Sequence, residues 1–310
     1  MLNVLRGRNV LAIVGAWGMA VLLPAGATAE DKPSAKKDLQ ALTVADAGPD
    51  YAVQGEYAGR IDDKTRHGVQ IIALGDGNFE VVHYVGGLPG DGWDTSEKPE
   101  RIQVAMQDNG TTLQSKQATK FELKDYQLTI FGRDGEKLGT ISKVERTSPT
   151  LGAKPPQDAI VLFDGSSADN FEGGKLSDDG NLQASCTTQE KFGDCQFHLE
   201  FRTPFKPFAR GQARGNSGVY AQSRYEIQVL DSFGLEGKNN ECGGIYSIAE
   251  PDVNMCFPPL QWQTYDIDFT AARYQDGKKV KPARVTVRHN GVVIHDDIER
   301  PKGTPGKASE

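Results

Sequence analysis

The chain has 310 residues, of which 37% are hydrophobic and 25% are charged, and its formal net charge is −7 at pH 7. A chain of this length and composition has room for two folded domains. Its acidic balance argues against nucleic acid and against anionic membranes as partners, because both carry dense negative charge.

The first 29 residues have the features of a secretory signal. Arg6 and Arg8 precede an apolar run at residues 10–23, and the small residues at 27–29 form a cleavage site before Glu30. The run spans 14 residues, which is short for a membrane span. An uncleaved anchor is the alternative. Cleavage moves the formal charge from −7 to −9. We therefore expect an exported protein, periplasmic or extracellular, with no membrane partner after signal cleavage.

Residues 30–45 are polar and indicate a linker, and residues 46–147 predict a small antiparallel all-β domain. Its short alternating segments are separated by turn dipeptides such as Asp76-Gly77. The predicted strands are Val69–Leu74, Phe79–Val85, Tyr126–Phe131 and Leu138–Val144. Trp93 lies in a glycine-rich loop, where it is either a platform for a sugar or a cap on the small core. The proline-rich residues 148–158 indicate a hinge before a second domain at 159–310.

Residues 214–231 predict two strands with one apolar and one polar face. In the second strand Ile227 and Val229 point to one side, and Glu226 and Gln228 point to the other. The first strand places Asn216, Gly218 and Tyr220 together in the same way, and Gly218 leaves open space in front of the sheet. Carboxylate, amide and phenol groups around a glycine gap suit a polyhydroxylated ligand. The predicted partner is therefore a carbohydrate.

Four further motifs accompany this run, at residues 162–165 (Leu-Phe-Asp-Gly), 197–201 (Phe-His-Leu-Glu-Phe), 262–266 (Trp-Gln-Thr-Tyr-Asp) and 289–291 (His-Asn-Gly). In this order they resemble the 3-keto-disaccharide hydrolase family over residues 159–303. The resemblance implies a concanavalin-like jelly-roll β-sandwich that cleaves 3-keto-glycosides. Family members continue past the position of Gly303 into strands that close the sandwich. The chain is thus expected to be truncated and to have an unpaired edge near Val161.

The chemistry implied by the resemblance begins at C2 of the sugar, whose proton is acidic because it is α to the keto group. The reaction needs a base, an electrophile for the enolate oxygen and a proton donor. We assign Glu226 as the base, with His198 as the alternative base, and Arg214 as the electrophile, with a divalent metal as its alternative. Tyr220 or Tyr225 is the proton donor. The sequence does not identify a cofactor, and a divalent metal is one candidate. His198 and Glu200 also fit a solvated pair on an exposed sheet face.

The predicted substrate-binding residues are Asn216, Tyr220, Gln228, Asp231, Glu241 and Trp262. Tyr220 is also a candidate proton donor, and Trp262 is either a sugar platform or part of the core. Ordinary retaining glycoside hydrolysis is disfavoured, since it needs two carboxylates about 5 Å apart and Gln228 is an amide. A non-catalytic carbohydrate-binding module is the alternative function. A surface interaction module that uses the first domain is a third.

All four cysteines lie in the second half of the chain. An even number of cysteines in an exported domain predicts disulfides. Sequence proximity favours the pairs Cys186–Cys195 and Cys242–Cys256, while the other pairings stay open. A zinc site is disfavoured because no Cys-x-x-Cys spacing is present.

Overall fold

The computed structural model describes residues 39–61, 64–116, 120–300 and 302–305, together with the backbone of two short N-terminal strands. These strands are β1 (Leu2–Leu5) and β2 (Ile13–Val14). A single short helix, α1 (Pro49–Val53), is the one α-helix among the described residues, and the rest of the regular structure is almost entirely strand. The prediction of an all-β protein is confirmed.

Eight antiparallel strands between residues 55 and 144 close into a barrel. Each strand pairs with the next along the chain, and the last returns to the first. The strands are β3 (Gly55–Ile61), β4 (Thr65–Gly75), β5 (Asn78–Val85), β6 (Glu100–Met106), β7 (Thr112–Ser115), β8 (Lys120–Lys124), β9 (Gln127–Phe131) and β10 (Lys137–Val144). The four strands predicted in this part of the sequence correspond to β4, β5, β9 and β10. Closure of the barrel was not predicted.

The barrel interior is filled by alternating apolar side chains. Val69 and Ile71 of β4 and Phe79 and Val81 of β5 are at most 1% exposed. Between these strands Asp76 and Gly77 have φ values of +53° and +70°, as a two-residue hairpin turn with right-handed strand twist requires. The turn and the period of two therefore fix the register of this hairpin.

The second half of the chain forms two antiparallel sheets around one hydrophobic core. The six-stranded sheet has the order β11-β1-β14-β17-β20-β21, and the five-stranded sheet has the order β12-β13-β2-β15-β16. The new strands are β11 (Ala159–Phe163), β12 (Phe171–Glu172), β13 (Cys186–Thr188), β14 (Cys195–Phe201), β15 (Ser217–Ala221), β16 (Tyr225–Val229), β17 (Gln263–Thr270), β18 (Arg273–Gln275), β19 (Lys278–Lys281), β20 (Ala283–His289) and β21 (Val292–Arg300). The hairpin β18–β19 is separate from both sheets.

Each large sheet contains one strand from the segment predicted to be a signal. β1 lies between β11 and β14, and β2 lies between β13 and β15. The rest of residues 1–29, and residues 30–38 of the predicted linker, lie outside the described residues. Cleavage before Glu30 stays a prediction, and it would remove both strands. Among the described residues no helix is long and apolar enough to cross a membrane.

The segment predicted to be a hinge lies against the outer face of the six-stranded sheet. Ser148 Oγ is 2.6 Å from Thr264 Oγ1, and Thr150 Oγ1 donates to Asp266 Oδ2 at 2.7 Å. The Gly152 amide donates to Glu200 Oε1 at 2.6 Å. Hydrogen bonds therefore hold this proline-rich segment in place.

The barrel and the sandwich share buried contacts. Phe233 of the sandwich belongs to one buried cluster with Ile72, Val82 and Tyr84 of the barrel. Trp93 packs against this cluster, with its ring centroid 5.0 Å from that of Tyr84. This contact favours the structural interpretation of Trp93 over a sugar platform.

The predicted disulfides are wrong for this structure, since all four cysteines are buried thiols that form no disulfide. Cys242 Sγ lies 3.2 Å from the Tyr265 hydroxyl, and Cys256 Sγ is 3.5 Å from the Leu230 carbonyl oxygen. Cys186 and Cys195 lie within the hydrophobic core. The cysteines therefore pack as small apolar side chains. Closeness in sequence gives no information about the distance between two sulfur atoms, and a disulfide depends on that distance.

The edges of the two sheets differ in how they are covered. β11 ends the six-stranded sheet and has β1 as its strand partner. β16 also ends its sheet. Its outer edge is bonded to a loop, because the Gln228 amide donates to the Gly244 carbonyl oxygen and the Gly243 amide donates to that of Gln228.

We expect the amides of β11 to exchange with solvent faster than those of β16. An edge strand with one partner opens locally, whereas a strand bonded on both sides needs a larger opening. Hydrogen exchange followed by mass spectrometry or NMR measures both segments in one sample. Equal, high protection of Ala159–Phe163 and Tyr225–Val229 would contradict this expectation.

Candidate functional site

A cluster of polar side chains lies on the face of β15 and β16 that points away from the core. Val219 and Ile227 belong to the core, so the residues between them point outward. Two cross-strand pairs follow on this outer face, Tyr220 opposite Glu226 and Gly218 opposite Gln228. We call Tyr220, Glu226, Gln228 and Gly218 the polar cluster. The predicted alternation thus holds for all four residues.

Glu226 and Tyr220 form the centre of the polar cluster. The Tyr220 hydroxyl donates a hydrogen bond to the Glu226 carboxylate, and burial together with this bond raises the pKa of Tyr220 well above its usual value. Glu226 is 6% exposed. Gly218 provides the space for the carboxylate, since a Cβ at this position would lie 2.3 Å from Glu226 Oε1.

Amide groups continue the polar cluster toward the start of β15. The Gln228 side-chain amide lies 2.8 Å from that of Gln212 and 3.2 Å from that of Asn216. With its amide turned about the last bond, Gln228 instead donates to Glu226 Oε1 at 3.3 Å. Gln228 is fully buried, whereas Asn216 is exposed. Gln212 belongs to the short 3-10 helix Gly211–Ala213.

A cavity of about 530 Å³ adjoins Asn216. Trp262 lines the same cavity, and the guanidinium carbon of Arg202 lies 5.4 Å from the centre of its ring. Arg202 is in turn paired with Asp179 at 2.6 Å, and both residues line the cavity. Two of the predicted substrate-binding residues, Asn216 and Trp262, therefore share one cavity whose wall also carries charged groups.

Arg214, the predicted electrophile, is bonded to Asp231. Its Nη2 atom is 2.8 Å from Asp231 Oδ2, and its Nε atom donates to the Asp231 carbonyl oxygen at 2.9 Å. Both side chains are buried. Burial raises the pKa of Asp231 despite the attraction of Arg214. The two residues thus form a buried ion pair, and the roles predicted for them in catalysis and substrate binding stay predictions.

His198 lies on the other sheet, on its outer face. Its Nδ1 atom is 2.7 Å from Asp266 Oδ1, and its Nε2 atom is 3.6 Å from Glu200 Oε1. Burial opposes ionisation of Asp266, but hydrogen bonds from His198 and Thr150 outweigh it and lower the pKa of Asp266. His198 therefore lies on a different sheet from Glu226, and its catalytic role stays a prediction. The proline-rich segment covers His198, which is half-buried rather than solvated.

Glu241 has a local role in its loop. Its Oε2 atom accepts hydrogen bonds from the Gly237 and Lys238 amides at 2.7 Å and 3.0 Å. The other histidines of this domain are buried in the sandwich, and burial lowers the pKa of His289 to about 3. In the part of the chain that the structure describes, no group of three or more histidine, cysteine, aspartate or glutamate residues is placed to hold a metal ion.

Comparison with known proteins gives the family of this half of the chain. Residues 158–309 match the family model described as a 3-keto-alpha-glucoside-1,2-lyase-like domain, of the 3-keto-disaccharide hydrolases. Residues 158–309 belong to this family. No curated protein matches the chain.

One solved structure is similar to the lyase-like domain. It is described as a candidate glycosyl hydrolase from Parabacteroides distasonis, with 32% sequence identity and a TM-score of 0.44. The match covers 49% of this chain and 70% of that chain.

Several residues around the polar cluster of the lyase-like domain were not predicted. Thr304 accepts a hydrogen bond from the Glu226 amide at 3.0 Å, and the Tyr246 amide donates to the Glu226 carbonyl oxygen. Gln212 and the cavity residues Asp179 and Arg202 were also missed. They come from loops and distant strands. Strand alternation, which is a local signal, gives no information about which loop covers a given face.

Proposed function

We propose that the lyase-like domain cleaves the glycosidic bond of 3-keto-glycosides, and that the sandwich has the concanavalin-like jelly-roll topology of its family. The observation that carries the proposal is the Glu226–Tyr220 hydrogen bond beside Gly218. This hydrogen bond joins a carboxylate that can act as a base to a phenol that can donate a proton. The side-chain amides of Gln228 and Asn216 lie next to this pair. Family membership supplies the substrate class.

The proposed reaction begins when Glu226 removes the proton from C2. The C2–H electron pair forms the enolate with the keto group, and the enolate then expels the substituent at C1. Tyr220 donates a proton to the leaving oxygen and recovers one from the Glu226 carboxylic acid through their hydrogen bond. Water adds across the C1–C2 double bond of the released sugar, so the net reaction is hydrolysis. A positioned base and donor each typically contribute about a hundredfold or more.

In this proposal, side-chain amides stabilise the enolate oxygen by donating hydrogen bonds to it. Arg214 is held by Asp231, so the proposal assigns this role to the Gln228 amide, which can reach Glu226 Oε1 at 3.3 Å, and to Asn216 beside it. Neutral amide donors act as oxyanion stabilisers in other acyl and enolate chemistry.

Access to Glu226 requires movement of the elements that cover it. Gln212 of the helix Gly211–Ala213 lies over Gln228, and the Asn240 carbonyl oxygen is 3.4 Å from the same amide. In the proposal these two loops separate when the sugar enters from the cavity at Asn216. Loops of this kind commonly gate enzyme sites.

A non-catalytic carbohydrate-binding module is the second candidate function. It is favoured by the separation of Arg214 and His198 from Glu226, together with the shared cavity of Asn216 and Trp262. A binding module needs aromatic and amide groups but no base. We also propose export of the protein, on the basis of its N-terminal signal pattern.

The test uses a 3-keto-glucoside labelled with deuterium at C2 and the parent glucoside as the matched control. We expect release of the aglycone from the keto compound alone, with a primary isotope effect, because the C2–H bond breaks in the reaction. NMR follows both the release and the loss of label to solvent. Binding without turnover or label exchange would support the carbohydrate-binding module instead. Turnover of the parent glucoside at the same rate would contradict α-deprotonation.

A further inference from the structure

The hairpin β18–β19 stands apart from the rest of the sandwich. Its strands, Arg273–Gln275 and Lys278–Lys281, form a two-stranded sheet of their own. All seven strand residues are exposed. An isolated two-stranded hairpin buries little apolar surface and is marginally stable in water. Packing against the core is therefore not the role of this element.

The direction of the hairpin is fixed at both ends. At the tip Asp276 and Gly277 have φ values of +50° and +73°, which matches a tight turn of the type that joins twisted strands. At the base Arg273 makes a two-point ion pair with Asp194, and Asp194 also accepts a hydrogen bond from the Ala271 amide at 2.9 Å. Asp194 thus holds the start of the hairpin through Arg273 and the Ala271 amide.

The hairpin carries a local positive charge on an acidic chain. Residues 273–281 contain four basic side chains and one acidic side chain, on a chain with a net charge of −7. Because Arg273 is paired with Asp194, the positive charge of the hairpin comes from the three lysines of β19. Two large apolar side chains accompany them, Tyr274 at 47% exposure and Val280 at 54%. Tyr274 is opposite Lys279 in the register. Val280 lies at a register shift between Lys279 and Lys281 and has no partner residue on β18.

We propose that this hairpin docks on the surface of an anionic lipid bilayer. Lysine side chains near such a surface are attracted to lipid phosphates, and tyrosine is favoured at the level of the headgroups. The three lysines of β19 lie beside the exposed Tyr274 and Val280 side chains, so one element offers both positive charge and apolar surface to the headgroup layer. The expectation of no membrane partner was based on net charge, which averages over this local patch.

Vesicle binding tests the proposal on the protein as the host cell processes it. The variant Lys278→Gln/Lys279→Gln/Lys281→Gln is compared with the matched control Lys98→Gln/Lys116→Gln/Lys137→Gln, which removes the same charge from exposed barrel positions. Vesicles contain phosphatidylcholine alone or with about one third phosphatidylglycerol. The hairpin variant is expected to lose about a hundredfold in partitioning to anionic vesicles, at roughly fivefold for each lysine. The control is expected to lose much less.

A second measurement reports insertion. In the Tyr274→Trp variant, tryptophan emission is expected to shift to the blue with anionic vesicles and to stay unchanged with phosphatidylcholine alone. Equal binding by the hairpin variant and the barrel control would overturn the proposal. Binding of the parent protein to polygalacturonate but not to anionic vesicles would also overturn it, and would identify an acidic polysaccharide as the partner.

Discussion

Replacing Glu226 by Gln is expected to abolish cleavage of a 3-keto-glycoside and leave the fold intact. Gln keeps the shape of Glu226 and can still accept the hydrogen bond from Tyr220, but its amide cannot take a proton from C2. Loss of a general base typically lowers the rate by about a hundredfold or more. The turnover number and the thermal midpoint, measured on the same preparation, separate lost chemistry from lost stability.

Two variants complete this experiment. Glu250→Gln changes an exposed carboxylate of the same domain and is expected to leave turnover unchanged. Gly218→Ala keeps Glu226 but places a methyl group 2.3 Å from the position of its Oε1 atom. The carboxylate must shift, so we expect turnover to fall here as well. Unchanged turnover in Glu226→Gln would contradict the base role of Glu226.

Replacing Arg214 by Met is expected to have the largest effect on stability. The substitution leaves the Asp231 carboxylate buried without its guanidinium partner. Breaking a buried ion pair on one side typically costs about 3–5 kcal/mol of unfolding free energy. Urea denaturation measures the loss. Lys238→Met is the matched control, because its ion pair with Glu236 is exposed and exposed pairs contribute little to stability.

The dependence of this loss on pH has a definite sign. Burial already raises the pKa of Asp231 in the folded protein, and removal of Arg214 raises it further. The folded state then binds the proton more tightly than the unfolded state, so stability decreases as pH rises through the folded pKa. We expect the deficit of Arg214→Met to be smaller in acid than at neutral pH. The double variant Arg214→Met/Asp231→Leu is expected to recover most of the stability. A deficit independent of pH would show that lost packing, rather than the buried charge, causes it.

Strand alternation was sufficient to place Glu226 and Gln228 on the same outer face, because a period of two depends only on neighbouring residues. Turn chemistry likewise predicted the hairpin at Asp76-Gly77. Family motifs indicated the correct half of the chain. Strand alternation and turn chemistry depend on a few neighbouring residues, and the family resemblance depends on the order of motifs along the chain. All of these can be read from the sequence.

Long-range pairing was not accessible to the same reasoning. Arg214 has its partner in Asp231, beyond a complete hairpin, and His198 lies on the opposite sheet with Asp266. A row of alternating residues shows which side chains share a face but not which sheet contains that face. Barrel closure escaped prediction for the same reason, because it depends on the meeting of β3 and β10, strands that are far apart in the sequence.

The connection between barrel and sandwich has a consequence for how the protein melts. Arg146 donates hydrogen bonds to Glu56 of the barrel at 2.7 Å and 2.6 Å, and its guanidinium carbon lies 5.1 Å from the ring centre of Phe257 in the sandwich. Together with the buried contacts of Phe233, these interactions are lost when either half unfolds, so unfolding of one half destabilises the other. Both halves are thus coupled into a single cooperative unit, and a sugar bound to the sandwich would also delay thermal unfolding of the barrel.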